Sequence, residues 1–385
     1  MKLAGVKVLD LSQFLPGPHL TMMMADHGAE VIKIEPYQGG EPARHIGLSK
    51  GGHSVWFRNT NRGKRSLRLN LKDPRGKEVL HRLCGCADVF VESFRPGVMQ
   101  RLGFDYATLV KRSPRLVYCS ISAFGQDGRY RDKPAHDLSV EAMAGLISVS
   151  LGQDGKPAIP AIPAADMAAS LMALSGILMA LLKQRETGRG DFIDIAMHDA
   201  LLAWTPNVMG PVFAEGRPPV PKDERSWGGA AFYNIYETAD GQFITLGGSE
   251  HKFAENFLAK AGRPDLALLC REAPGAKQAP VREYLGNLFR SRTLADWLAW
   301  LDGVDVCYAP VRTLKDAIDD PNAVERGMLL RDERGLEHLG VPIKFAHEPA
   351  TPDLRVPELG EDSEAILREI GLDGDIGTLR REGVI

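Results

Sequence analysis

A single aspartate at the start of a long apolar segment is the side chain best placed for chemistry in this sequence. Asp166 precedes residues 167–182, which carry no charge, and its immediate neighbours are small or apolar. Burial in such surroundings raises the pKa of a carboxyl group, whereas the positive end of a helix lowers it. Asp166 is therefore a candidate nucleophile or acid/base group, and the alternative is a simple helix cap.

Two further titratable groups stand near the starts of predicted helices. His136-Asp137 lies on a turn before an apolar helix, where the helix dipole disfavours the imidazolium cation and favours a neutral imidazole that accepts a proton. Asp137 alternatively caps its own helix. Glu250 follows a predicted strand of a second domain, and its structural alternative is also a position in a helix cap.

The densest run of positive charge, Arg58 to Arg68 with Lys72 behind it, is predicted to form a loop. Its cations are interrupted by Asn, Gly and Ser, and forked guanidinium donors are suited to clamping phosphates. Arg95 follows a predicted strand, and ligands of open α/β sheets collect at the carboxyl ends of strands. Together these features favour a phosphate-bearing ligand, and a solvated charged turn is the alternative for the basic run.

Alternating strand and helix patterns would position these groups. Strands are predicted at 6–11, 30–35, 87–92, 116–121 and 192–197, and helices at 19–27, 74–83, 106–112, from Asp137 onward, and at 167–183. Such alternation predicts a parallel sheet with helices on both faces, an α/β, doubly wound, Rossmann-like domain.

A shift in composition indicates a second domain. Proline, glycine and charge dominate between Val208 and Trp227, which is typical of a crossover. We predict a large α/β domain formed by residues 1–205 together with 325–385, and a smaller α+β domain formed by residues 206–324. The length of 385 residues, well above the ~150 of an average domain, agrees with this division.

Charge and missing motifs exclude several other classes of function. The 47 basic and 50 acidic side chains give a net charge of −3, so no broad positive field attracts nucleic acid or an anionic membrane. The sequence has no Gly-x-Gly-x-x-Gly after its first strand, no Gly-Lys-Ser/Thr phosphate loop and no His-Glu-x-x-His. These absences argue against a dinucleotide dehydrogenase, a P-loop kinase and a zincin.

Cysteine usage and the N-terminus bear on the compartment. Five cysteines without a Cys-x-x-Cys spacing support neither a disulfide framework nor a zinc site, so we expect no metal. The start of the chain lacks a signal-peptide pattern, and the longest apolar run falls short of the ~20 residues of a membrane span. We therefore expect a cytoplasmic protein.

The ordered segments resemble the family III CoA-transferase (CaiB/BaiF) family, which includes the 2-methylacyl-CoA racemases. The similarity extends from Gly5 to Leu372. The motifs that carry it are Val8-Leu9-Asp10-Leu11, Gly17-Pro18, residues 28–35, Lys64-Arg65-Ser66-Leu67, residues 87–92, Arg95-Pro96-Gly97, Leu102-Gly103, Thr187-Gly188-Arg189-Gly190, residues 194–199 and Leu359-Gly360-Glu361-Asp362.

The resemblance implies coenzyme A or an acyl-CoA as substrate, with no permanently bound cofactor. It also implies an interlocked homodimer, with each active site between the large domain of one chain and the small domain of the other. Asp166 falls at the family's catalytic aspartate, His136 at the racemase histidine, and Glu250 at a glutamate that hydrogen-bonds that histidine. The residues expected to contact CoA are Lys64, Arg65, Leu69, Asn70, Lys72, Ala87, Asp88, Val89, Phe90, Val91, Arg95, Ala135 and Asp137.

The resemblance leaves two chemistries open. In a racemase or epimerase, Asp166 and His136 exchange the α-proton on opposite faces of the α-carbon while the enolate oxygen is stabilised. In a transferase, Asp166 attacks the donor thioester and then carries CoA as an enzyme thioester to an acceptor acid. His136-Asp137 resembles the racemase branch, whereas Met167-Ala168-Ala169-Ser170 stands where racemases usually carry glycines. A silent binder of CoA esters is the third hypothesis, and Asp166 in its expected place argues against it.

Overall fold

The computed structural model describes residues 1–152 and 154–385. Contacts divide the chain into a larger unit (Met1–Leu146, Ile159–Trp204 and Pro321–Ile385) and a smaller unit (Ile147–Ala158 and Thr205–Asp320). The smaller unit thus includes residues 147–158, which the sequence assigned to the large domain.

The strands are β1 (Lys7–Asp10), β2 (Glu30–Pro36), β3 (Ser49–Lys50), β4 (His53–Ser54), β5 (Arg65–Leu69), β6 (Val89–Glu92), β7 (Val117–Ser122), β8 (Phe192–Ala196), β9 (Tyr233–Glu237), β10 (Phe243–Gly247), β11 (Tyr308–Pro310), β12 (Leu329–Arg331) and β13 (Glu337–Leu339). The α-helices are α1 (Pro16–Asp26), α2 (Val55–Asn61), α3 (Pro74–Cys84), α4 (Val98–Leu102), α5 (Tyr106–Leu109), α6 (Asp137–Met143), α7 (Leu146–Val149), α8 (Ala164–Thr187), α9 (Met197–Ala203), α10 (Gly210–Glu215), α11 (His251–Lys260), α12 (Ala279–Phe289), α13 (Leu294–Leu301), α14 (Leu314–Ile318), α15 (Pro321–Glu325), α16 (Ser363–Glu369) and α17 (Ile376–Arg381). Short 3₁₀ helices are Pro42–His45, Arg225–Trp227, Pro264–Arg271, Ala276–Gln278 and Asp373–Asp375.

A six-stranded parallel sheet with the order β5-β2-β1-β6-β7-β8 forms the centre of the larger unit. Alternate residues of its strands enter two apolar clusters. Phe90 packs with α3, α16 and α17, whereas Val89 and Val91 pack with α1 and α8. Strands buried on both faces require helices on both faces, so the predicted parallel α/β sheet is confirmed.

The basic run predicted as a phosphate-binding loop is not a loop. Its first half is helix α2, and its second half is β5, the edge strand that pairs with β2. Segments far along the chain complete this edge: the Ser66 amide donates to Asp362 Oδ2 at 2.8 Å, and the Asn70 amide donates to the Val384 carbonyl at 2.8 Å. The cations of this run therefore form contacts largely within the fold.

Helix α8 has 24 residues and is longer at both ends than the sequence predicted. Its length and a mean hydropathy of 1.8 over 18 residues would suffice to cross a membrane, but 44% of that window is buried within the protein. Its small residues Ala165, Ala168, Ala169 and Ala173 bring the helix close to the sheet. A second face of α8 remains exposed and apolar.

The smaller unit contains a three-stranded antiparallel sheet, β11-β10-β9. Its core contains Phe257 of α11, Leu285 and Phe289 of α12 and Trp297 of α13, and the Trp297 indole donates to the Phe289 carbonyl at 2.7 Å.

Candidate active site

Asp166 occupies the first turn of α8, with Pro163 at the N-cap, so it is not the cap of its helix. The amides of Ala165 and Asp166 donate to Asp137 Oδ1 at 2.9 and 3.1 Å, and the Ala164 amide donates to Glu141 Oε1 at 2.8 Å. Two carboxylates from α6 therefore bind the amides at the N-terminus of α8.

This arrangement corrects the interpretation of Asp137 as the cap of its own helix. His136, not Asp137, is the N-cap residue of α6, and Asp137 caps the following long helix instead. Asp137 Oδ1 accepts from two amides, and the predicted contact of Asp137 with CoA stays a prediction.

Burial and the same two carboxylates raise the pKa of Asp166. Burial, followed by the negative charges of Asp137 and Glu141, raises the pKa of Asp166 from 3.8 to about 7. The lowering effect of the helix N-terminus is outweighed because Asp137 and Glu141 already occupy its amides. At neutral pH Asp166 therefore populates both its protonated and its ionised form.

His136 and Asp166 line one cavity of about 340 Å³. The Phe14 ring and the His136 imidazole form a T-shaped contact, with 5.8 Å between centroids and an interplanar angle of 89°. The cavity is lined by Gln13, Phe14, Pro16, Ser93, Phe94, Arg95, Pro96, Ile121, Ser122, Ala123, Arg131, Lys133, Pro134, Ala135, His136, Asp166 and Met197. Arg95 and Ala135, both predicted to contact CoA, are therefore in this cavity.

A second cavity, of about 440 Å³, lies where β1, β2 and β5 end. Leu69, Asn70 and Lys72 line it together with Tyr37 and Gln38. Gln13 and Phe94 line both cavities, so the two are adjacent. Three predicted CoA contacts are thus gathered at the carboxyl edge of the sheet, beside the Asp166 cavity.

Two basic residues predicted to hold CoA are engaged elsewhere. Lys64 is fully buried, and its ammonium donates to Asp10, to the Pro18 carbonyl and to Asn61 at 2.8–2.9 Å. Its predicted contact with the ligand stays a prediction, and these contacts give Lys64 a role within the fold. Arg65 forms ion pairs at 2.7 Å with carboxylates of β2 and α16, Glu30 and Glu369. These ion pairs connect Arg65 of the edge strand β5 to β2 and α16.

Residues 87–91, which were predicted to contact CoA, line neither of the two cavities. Val89, Phe90 and Val91 are fully buried in β6. Ala87 packs against the core and the Asp88 carboxylate accepts the Lys7 amide, both at the opposite end of that strand from Ser93 and Phe94. The cavities begin only after β6 ends.

Glu250 belongs to the smaller unit, where it is the N-cap residue of α11 without a side-chain capping bond. Its hydrogen bond to His136 stays a prediction. Within residues 1–152 and 154–385, no cluster of three or more histidine, cysteine, aspartate or glutamate side chains is arranged to hold a metal ion.

Sequence reasoning missed Phe14, Ser93, Lys133 and Met197 as cavity residues. Phe14 has a φ of 65°, a conformation that usually calls for glycine or asparagine, so no local signal marks it. Ser93 directly follows β6 and was open to prediction from the rule that ligands gather at carboxyl strand ends.

Comparisons with known proteins show what this chain is similar to. The family model described as CoA-transferase family III matches residues 3–363. Human alpha-methylacyl-CoA racemase is 34% identical over 96% of this chain and 94% of its own length. Mouse succinyl-CoA:glutarate CoA-transferase is 31% identical over 100% of this chain and 90% of its own length. A solved structure of a CaiB/BaiF family protein from Brucella suis is 30% identical, with a TM-score of 0.82 over 96% of this chain and 99% of that one.

The chain belongs to CoA-transferase family III, a family of enzymes. The resemblance found in the sequence is thereby confirmed.

Proposed function

We propose that this enzyme acts on acyl-CoA thioesters and that it transfers the α-proton, as a 2-methylacyl-CoA racemase or epimerase does. The observation that carries the proposal is that His136 and Asp166 line one cavity, while the pKa of Asp166 is about 7. Proton exchange at a carbon needs one group that donates and one that accepts near neutral pH. The similarity to human alpha-methylacyl-CoA racemase supports the same chemistry.

In this mechanism one of the two groups removes the α-proton, and the C–H electron pair passes to the thioester oxygen as an enolate. The other group then delivers a proton to the opposite face, and the electrons return from oxygen to the α-carbon. The amides that begin α8 are occupied by Asp137 and Glu141, so the donors for the enolate oxygen come from elsewhere. Gln13 and the cations Arg95, Arg131 and Lys133 line the cavity.

We propose that the nucleotide part of CoA occupies the 440 Å³ cavity beside Leu69, Asn70 and Lys72. Its pantetheine then passes Gln13 and Phe94 to bring the thioester to Asp166. CoA is a substrate in this proposal and not a resident cofactor.

The second candidate is CoA transfer from an acyl-CoA to a carboxylic acid. Asp166 attacks the thioester carbon, the C–S bond breaks, and the CoA thiolate then attacks the resulting anhydride to give aspartyl-CoA and the free acid. Met167-Ala168-Ala169 and the similarity to succinyl-CoA:glutarate CoA-transferase favour this chemistry. Here His136 has no chemical step.

The two candidates are distinguished by incubating the protein with a 2-methylacyl-CoA in D₂O without an acceptor acid. Proton transfer predicts deuterium at the α-carbon, lost in His136→Ala and Asp166→Asn but retained in His347→Ala, an exposed histidine outside the cavity. CoA transfer predicts instead an aspartyl adduct that hydroxylamine traps at Asp166, undiminished in His136→Ala. Absence of exchange across a panel of such esters would refute the first proposal.

We also propose that the protein forms a homodimer through the exposed face of α8. Met179 and Leu182 are 68% and 66% exposed, and Leu171, Met172 and Leu178 extend the same apolar surface. A soluble protein rarely leaves such a contiguous face uncovered. Light scattering of Met179→Asp/Leu182→Asp is expected to give a monomer, with Lys183→Ala still dimeric; a dimer in both variants would contradict this surface.

A further inference from the structure

The wall of the Asp166 cavity that touches His136 is a short loop held in a rare conformation. Residues 11–15 connect β1 to α1, and Phe14 within this loop has a φ of 65°. Non-glycine residues in this region are strained, and such strain persists only where the surroundings impose it. The Phe14 ring is also the group that forms the T-shaped contact with the His136 imidazole.

Three successive residues of the loop are each bound by a side chain from another element. The Ser12 carbonyl accepts from the Lys33 ammonium of β2. The Gln13 amide donates to Ser93 Oγ at 2.9 Å, and the Phe14 amide donates to Glu41 Oε1 at 2.9 Å. The strained residue is thus fixed by Glu41.

Glu41 and Lys33 form a buried ion pair beneath the loop. The Lys33 ammonium lies 2.8 Å from Glu41 Oε2, and both side chains are 1% exposed. Neither lines the cavity that contains His136 and Asp166. Burying two charges is costly, and the loss of either partner leaves the other charge buried and unpaired, so the two side chains hold each other in place.

We propose that Glu41, supported by Lys33, is a positioning residue for His136. Its carboxylate fixes the Phe14 amide, which sets the φ of Phe14 and holds the phenyl ring in its T-shaped contact with the imidazole. The ring of His136 is thereby oriented toward the α-carbon of the substrate. This inference rests on the role proposed above for His136.

The matched variants Glu41→Gln and Glu41→Leu test this role. Both remove the charge that pairs with Lys33 and both keep a similar volume, but only glutamine retains an oxygen that accepts the Phe14 amide. We expect Glu41→Leu to exchange the α-proton with a kcat about tenfold below that of Glu41→Gln, while KM for the ester stays within about twofold.

A readout independent of activity separates this inference from the proposed function. In protein labelled with ¹³C at histidine Cε1, the His136 signal, assigned by its loss in His136→Ala, is expected at its wild-type position in Glu41→Gln and displaced in Glu41→Leu. Equal signals and equal kcat in the two variants would overturn the positioning role. Exchange at the wild-type rate by His136→Ala would instead refute the role of His136 in the chemistry. The His136 signal in the two Glu41 variants would still test the positioning role of Glu41.

Phe14→Leu provides a second test if Glu41→Leu does not fold. It leaves in place the Lys33–Glu41 pair and the hydrogen bond that the Phe14 amide donates to Glu41, and it removes only the aromatic ring. The expected result is the same displacement of the His136 signal and the same selective fall in kcat; an unchanged signal and kcat would overturn the proposal.

Discussion

The raised pKa of Asp166 predicts that this residue destabilises the fold progressively as the pH rises from about 4 to about 7. The folded protein holds the pKa at about 7, against 3.8 for an unperturbed aspartate. Between these values the folded state binds more protons than the unfolded chain, so the free energy of unfolding falls as the pH rises and stays lowered above pH 7. The whole difference corresponds to about 4 kcal/mol, which water in the open cavity reduces to about 2 kcal/mol.

Asp166→Asn removes this ionisation while it keeps the size of the side chain. At about pH 4 the aspartate is mostly neutral in the folded state, so the variant and the wild type are expected to unfold at nearly the same temperature. At about pH 8 the variant is expected to be more stable, with a Tm higher by about 4 °C.

Calorimetry of both proteins across this pH range measures the difference directly. Asp373→Asn, the same exchange at an exposed position outside both cavities, is the control and is expected to show no pH-dependent gain. If Asp166→Asn were no more stable than the wild type at about pH 8, burial and the neighbouring carboxylates would not be acting on Asp166 as the structure indicates.

Three further predictions concern groups around the two cavities. Lys64→Met leaves the buried Asp10 carboxylate short of a partner and is expected to destabilise the protein by about 3–5 kcal/mol in urea unfolding; a changed KM at full stability would show that Lys64 contacts the ligand after all. Lys72→Ala removes an exposed cation of the 440 Å³ cavity, so steady-state kinetics should show a KM for the CoA ester raised about threefold to tenfold at low salt, with kcat preserved. Asp137→Ala removes a negative charge beside Asp166, so the acidic limb of the pH–rate profile should move to lower pH; an unmoved limb would mean that Asp137 does not influence Asp166.

The sequence predicts the parallel sheet because local periodicity alone marks its central strands, such as 30–35 and 116–121. It does not predict β5, since Arg65 and Arg68 flank Ser66 and Leu67 without a strict alternation of polar and apolar residues, on an edge strand where charged side chains are expected. The same charges suggested a phosphate-binding loop. Their carboxylate partners, Glu30 and Glu369, come from distant segments that local patterns do not connect to this run.

In the candidate site, too, the sequence predicts individual side chains but not the contacts between distant segments. Asp166 and His136 carry chemical types that stand out in the sequence, and both line the cavity. The capping of α8 by Asp137, 28 positions before Ala165, is a tertiary contact and was assigned to the wrong helix. Phe14 carries no local signal, because a positive φ is one that phenylalanine seldom adopts.

The way β5 is completed has a consequence for how the protein is made. The Ser66 amide donates to Asp362, 296 positions later in the chain. Val384 and Ile385 are buried in the core beneath the same edge. Loop closure over such separations is slow, and domains ordinarily fold as they emerge from the ribosome. During synthesis the nascent larger unit therefore exposes an unfinished sheet edge for most of translation, and we expect it to depend on chaperones that shield such edges until residues 362–385 arrive.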